Sequence, residues 1–218
     1  MQAAAAEPQK KLVLHPGWVA FAALVLAVPM SVLILRPAFR KELPILADLP
    51  QFSLVAEDEK PFTRDDMLGR VWVADFVFTS CADACPLLQS KMKKLQDRLI
   101  PLQQGGNISL LSISVDPERD TPAKLRDYAQ IYGQRKGQWR YLTGQQREVE
   151  RTVVRGFHTA MAKMPVAGAD PHLEAFDIMH GERLVLVDRM GRIRGFYEAD
   201  DQDAILRDAR SLTVGGNG

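Results

Sequence analysis

The chain has 218 residues, 28 Lys and Arg against 27 Asp and Glu, and 46% hydrophobic residues. That is enough apolar material for one domain of ordinary size plus an appendage. A formal net charge of +1 gives no electrostatic footprint for nucleic acid, and no repeat period or long low-complexity tract points to a repeat array.

In chain order, residues 1–17 read as a tail and residues 18–35 as a membrane anchor. Trp18 to Leu35 carries no charge over about 18 residues, roughly 27 Å as a helix, the short end of what spans a bilayer. Pro29 makes it a poor interior helix in water, and the stretch is longer than the apolar part of a cleaved signal peptide. Lys10 and Lys11 precede it while Arg36, Arg40 and Lys41 follow, so the positive-inside rule does not orient it. Residues 36–49, with prolines and mixed charges, read as a linker.

A domain then spans residues 50–212, followed by a short tail, 213–218. Gln51 to Val55 and Pro61 to Thr63 flank the charged turn Glu57 to Lys60, which predicts a hairpin. Val71 to Phe78 is almost continuously apolar and β-branched or aromatic, as in a strand buried on both faces. Leu87, Leu88, Met92, Leu95 and Leu99 recur at helical spacing, and Pro86 suits a first helical turn. Ile108 to Val115 repeats the buried-strand pattern, which makes a right-handed parallel crossover. Thr121 predicts the N-cap of a helix over 122–132, closed by Gly133. A short strand at 139–142, a helix over 145–161 and an aperiodic excursion over 163–174 follow. Arg183 to Asp188 and Ile193 to Tyr197 predict a second hairpin, and Asp200 to Leu212 a last helix. The order βαβ then ββα is the thioredoxin-like α/β arrangement, a central mixed sheet flanked by helices, here with one N-terminal transmembrane helix.

Cys81 and Cys85, the only cysteines, fall between the Val71 strand and the following helix. A bridge between them closes so short a loop that chain entropy gives it only about 2 kcal/mol. The spacing therefore suits redox change or metal binding better than a structural staple. At the mouth of a helix N-terminus, unpaired amides and the dipole are expected to favour thiolate over thiol. The parallel crossover puts Asp116 and Asp120 on the same sheet edge, either capping the next helix and pairing with Arg119 or Arg126, or contributing to docking or metal binding.

Three strings carry a resemblance: Asp75-Phe76-Val77-Phe78-Thr79-Ser80-Cys81-Ala82-Asp83-Ala84-Cys85-Pro86, Ser112-Ile113-Ser114-Val115-Asp116-Pro117-Glu118-Arg119-Asp120-Thr121-Pro122, and Trp139-Arg140-Tyr141-Leu142-Thr143-Gly144. From about Pro50 onward the chain resembles the SCO/SenC family of membrane-anchored copper proteins. That resemblance implies a thioredoxin-like domain on one N-terminal helix, at the bacterial inner membrane facing the periplasm or the mitochondrial inner membrane facing the intermembrane space. It implies copper bound by Cys81, Cys85 and His180, and delivery to the binuclear copper site of a cytochrome c oxidase subunit. The sequence departs from the family pattern in carrying Met179 before His180 and in lacking a glycine in the 57–60 turn.

Two thiolates and an imidazole are a soft set suited to Cu(I), with Cu(II) as a second state; zinc would need a fourth ligand such as water, Asp116 or Asp120. The alternative function is thiol–disulfide exchange, with Cys81 and Cys85 as a redox-active pair that reduces the oxidase's copper-site cysteines. Whether the chain is an enzyme is left open by its residues. His158, Met161, Met164, His172 and Met179 precede His180, but methionine at such spacing is more often core filler than a copper relay.

Overall fold

The computed structural model describes residues 42–82, 84–99, 107–159 and 183–214, together with Gly17, Trp18, Phe21, Val25 and Ala27. It divides into two units, residues 1–42 and 43–218. In the first, Gly17, Trp18, Phe21, Val25 and Ala27 are helical, and Trp18 and Phe21 meet edge to face at 6.3 Å with both rings exposed. Among the described residues no helix is long and apolar enough to cross a membrane.

In the second unit the strands are β1 (Ala47–Asp48), β2 (Ser53–Ala56), β3 (Pro61–Thr63), β4 (Val71–Val77), β5 (Ile108–Ser114), β6 (Trp139–Thr143), β7 (Arg183–Val187) and β8 (Arg192–Glu198). The helices are α1 (Ala84–Leu99), α2 (Pro122–Ile131), α3 (Gln146–Glu150) and α4 (Gln202–Val214). All the strands join one mixed sheet, ordered β1-β8-β7-β4-β5-β6-β2-β3, with helices on its faces in the thioredoxin-like arrangement. β4 is central, parallel to β5 and antiparallel to β7, and β5 is parallel to β6.

Side-chain alternation along β4 divides the core in two. Val71, Val73 and Val77 face a layer that holds Leu88, Met92 and Leu95 of α1, Leu125 of α2 and Ile205 of α4. Trp72, Ala74 and Phe76 face the other layer, with Phe52, Leu54, Met67, Val149 and Phe157. α1 is held by its apolar stripe: each fully buried Leu or Met contributes about 2 kcal/mol relative to exposure.

Three local differences from the sequence reading have physical causes. The chain joins the sheet before Pro50, because Leu46 donates to the Ile193 carbonyl, Leu49 donates to the Gly191 carbonyl, and the Leu49 side chain is buried. Helix α1 begins at Ala84, ahead of Pro86, which takes Cys85 out of the loop expected between strand and helix and into the first helical turn. The helix expected over 145–161 is α for one stretch and then π-helical from Arg151 to Gly156. The turn without its expected glycine places Glu59 in the left-handed region at φ 67°.

Candidate metal centre

β4 ends at Val77, and the chain turns through Phe78, Thr79 and Ser80, with the Cys81 N–H donating to the Phe78 carbonyl at 3.2 Å. Cys81 is left half-buried at the turn, while Cys85 is only 4% exposed in the first turn of α1. The Cys85 backbone N–H donates to Cys81 Sγ at 3.3 Å, and both thiols are free. The pair is thus one part-exposed sulfur held by a helix N-terminal amide and one buried sulfur behind it.

The expectation that the helix terminus ionises both cysteines does not hold for Cys85. Burial, the largest cause, pushes its thiol well above the ordinary range, and a hydrogen bond at Phe78 only partly opposes this. Among the described residues, Cys81 and Asp75 also oppose its ionisation. Removing a thiolate from water costs more here than one helix turn of amides returns.

Asp75 shares the Cys85 side of the sheet. By alternation it faces α1 with Val73 and Val77, and it is fully buried. Its carboxylate accepts from Ser112 Oγ at 2.5 Å and from Gln89 Nε2 at 2.6 Å. Gln89, one turn beyond Cys85, accepts from the Tyr141 hydroxyl at 2.5 Å, and Ser112 accepts from Trp139 Nε1 at 2.9 Å. Asp75, Ser112 and Tyr141 are aligned across β4, β5 and β6, so strand register builds this polar row. Burial raises the Asp75 carboxyl to about 7 despite its two neutral donors. Sequence reading missed the row; the signal was a lone carboxylate in the middle of an otherwise apolar strand.

Parallel pairing of β4 and β5 brings the Asp116 to Asp120 turn beside the cysteine loop, as the crossover predicts. The two carboxylates differ. Asp116 Oδ2 is buried without a hydrogen bond, 3.6 Å from Arg119 Nη1, and burial raises its carboxyl above the usual range. Asp120 accepts from Thr79 and Ser114. Capping falls to Thr121, whose hydroxyl accepts from the Lys124 N–H at 3.3 Å, and Arg126 binds Glu57 and Glu59 rather than either aspartate.

His180, Met161, Met164, His172 and Met179 lie outside the described residues, and His158 is exposed at φ 54°. Among the described residues no group of three or more His, Cys, Asp or Glu side chains converges as a metal site. The two sulfurs are adjacent, and a third donor must come from elsewhere.

Comparison with known proteins places this architecture. Residues 47–213 match the SCO1/SenC family. The chain is 30% identical over 172 residues to the SCO1 protein homolog of Bacillus subtilis, covering 78% of this chain and 86% of that one. Its fold is similar to that of BsSco, a member of the Sco family of cytochrome c oxidase assembly proteins in which a disulfide switch has been identified. That likeness has a TM-score of 0.66 at 27% identity and covers 81% of this chain and 99% of that one. It is also similar to Arabidopsis thaliana ScoI with copper bound, with a TM-score of 0.62 at 25% identity over 76% of this chain and 99% of that one. With the cysteine loop, the crossover and the mixed sheet all in place, the chain belongs to the SCO1/SenC family.

Proposed function

We propose that this protein binds copper through Cys81, Cys85 and His180 and delivers it to the binuclear copper site of a cytochrome c oxidase subunit during assembly. The observation that carries the reading is the sulfur pair: free, adjacent, and on a buried edge where, among the described residues, no cation acts to stabilise the Cys85 thiolate. A soft monovalent cation supplies that charge, and two thiolates suit Cu(I) better than they suit hard ions. Binding displaces the thiol protons, and the part-exposed Cys81 gives an acceptor's ligands a way in for stepwise exchange. The copper-bound plant relative and the oxidase-assembly relative support cargo and destination.

Residues 18–35 anchor the domain at the bacterial inner membrane facing the periplasm, or at the mitochondrial inner membrane facing the intermembrane space. The charge-free run and the exposed Trp18, Phe21 and Val25 on its helical residues support the anchor.

A second reading is favoured by the unequal burial of the two sulfurs and by the disulfide switch of BsSco. Cys81 as thiolate attacks a disulfide in the partner's copper site, releasing one partner thiolate and forming a mixed disulfide. Cys85 as thiolate then attacks Cys81 Sγ, releasing the second partner thiolate and closing the Cys81–Cys85 bridge. Two electrons pass to the partner.

His180 separates the two. Copper delivery expects His180→Ala to weaken Cu(I) binding in a chelator competition while exchange with a model disulfide survives. Equal copper affinity in wild type and His180→Ala would contradict the three-ligand site.

A further inference from the structure

Asp120 lies at the start of the α2 segment, forty-one residues from Thr79 in sequence, and is fully buried. Its Oδ2 accepts from the Thr79 backbone N–H at 3.0 Å and from Ser114 Oγ at 2.7 Å. Its Oδ1 accepts from the Thr79 hydroxyl at 2.5 Å, with Lys124 Nζ 3.7 Å away. Ser114 Oγ in turn accepts from the Asp116 N–H at 3.2 Å, which ties the end of β5 to the same carboxylate.

These bonds meet where the cysteine loop leaves the sheet. Thr79 is the second residue of the turn that the Cys81 N–H closes onto Phe78, so gripping Thr79 by both its amide and its hydroxyl fixes where Cys81 begins. The ladder bond from Val115 N–H to the Val77 carbonyl is the last one before the turn. Beyond it, Asp120 continues the hold through side-chain chemistry. The adjacent Asp116 is no substitute, because its carboxylate faces Arg119 Nη1 at 3.6 Å and its Oδ2 accepts no hydrogen bond.

We propose that Asp120 is a positioning residue for the metal centre, acting through Thr79 to preset the separation and aim of the Cys81 sulfur relative to Cys85. It touches no metal; it removes the loop freedom that copper binding would otherwise have to freeze. This rests on the reading of Cys81 and Cys85 as copper ligands.

The test compares Cu(I) affinity of the reduced full chain by chelator competition in wild type, Asp120→Ala, Thr79→Val and Thr79→Ser. A control, Glu57→Gln, perturbs a buried carboxylate that binds Arg140 and the Tyr141 N–H outside the cysteine loop. Asp120→Ala and Thr79→Val are expected to weaken binding about 10- to 100-fold, the usual effect of losing a group that orients a metal ligand. Thr79→Ser, which keeps the hydroxyl, and Glu57→Gln are expected to stay within about twofold of wild type. Should Asp120→Ala fail to fold, the Thr79 pair decides alone. The inference is overturned if folded Thr79→Val binds like wild type, or if Thr79→Ser weakens binding as much as Thr79→Val. Amide hydrogen exchange of the metal-free protein separates failure of this inference from failure of the copper reading. Thr79→Val should speed exchange at Ser80 and Cys81 about tenfold while β5 is unchanged, whether or not wild type holds copper. Unchanged exchange at Ser80 and Cys81 overturns it.

Discussion

Asp75, on the central strand β4, and Asp188, just past the end of the neighbouring β7, are both buried and are handled in opposite ways. Asp188 directly follows β7 and accepts from the Met190 and Arg192 N–H groups, from Arg192 Nε at 2.8 Å and from Arg194 Nη1 at 2.7 Å. Burial, the largest single cause, works against its ionisation, yet these donors together hold its carboxyl below the usual value. Asp75 has two neutral donors and rises to about 7. The two ionise in opposite ways because Asp75 is the more deeply enclosed and has only an amide and a hydroxyl as donors, whereas guanidinium groups stand beside Asp188. The hairpin edge is thereby a finished structural joint, since Arg194 also donates to the Pro44 and Leu43 carbonyls and ties down the chain entering the domain. Among the described residues, Asp75 and Cys85 beneath the cysteine loop have no such charge compensation, which on the proposed copper reading a bound cation would supply.

The largest expected effect tests the finished joint. Asp188→Ala leaves Arg192 and Arg194 without their shared carboxylate and should cost about 3 kcal/mol in urea unfolding at pH 7. The part of that stability due to its ionisation should be present above the unfolded carboxyl pKa and lost as pH falls below it, because the native pKa is depressed. A cost near zero would remove one arm of the comparison.

Asp75→Asn tests the other arm. With its carboxyl raised from 3.8 to about 7, the native chain binds more protons than the unfolded chain between those values. Stability from this group should therefore fall as pH rises from about 4 to about 7, then level off. Asp75→Asn should be more stable than wild type at pH 8 by about 1–3 kcal/mol, with the advantage shrinking by pH 5. Denaturant curves at the two pH values check the sign.

A smaller effect sharpens the first arm. Arg194→Lys keeps a cation near Asp188 but loses the planar fork that also reaches Leu43 and Pro44, and should cost about 1 kcal/mol. Limited proteolysis near Leu43 would report the loosened entry segment.

Much of this was legible in the sequence, and particular residues show where legibility stopped. The β4–α1–β5 crossover follows from two apolar runs and a helical stripe, so the strand order around the cysteines and the approach of Asp120 to that loop could be read directly. β1 could not: it is two residues long, between Pro44 and Pro50, and exists because β8 offers an edge. The ionisation of Cys85 was misjudged because helix-terminus electrostatics is local in sequence, whereas burial depends on residues as distant as Tyr128 and Leu206. Asp120 was read as a cap because capping is a neighbour effect; its bonds to Thr79 depend on the fold.

The most direct test of the account is a Cu(I) titration of the reduced full chain against a competing chelator, in wild type and in the double variant Cys81→Ser, Cys85→Ser. Wild type should hold one Cu(I) per chain, and the double variant should lose at least about 4 kcal/mol of binding free energy, a thousandfold. Copper held equally well by both proteins, or by neither, would contradict the assignment of the sulfur pair as the metal centre.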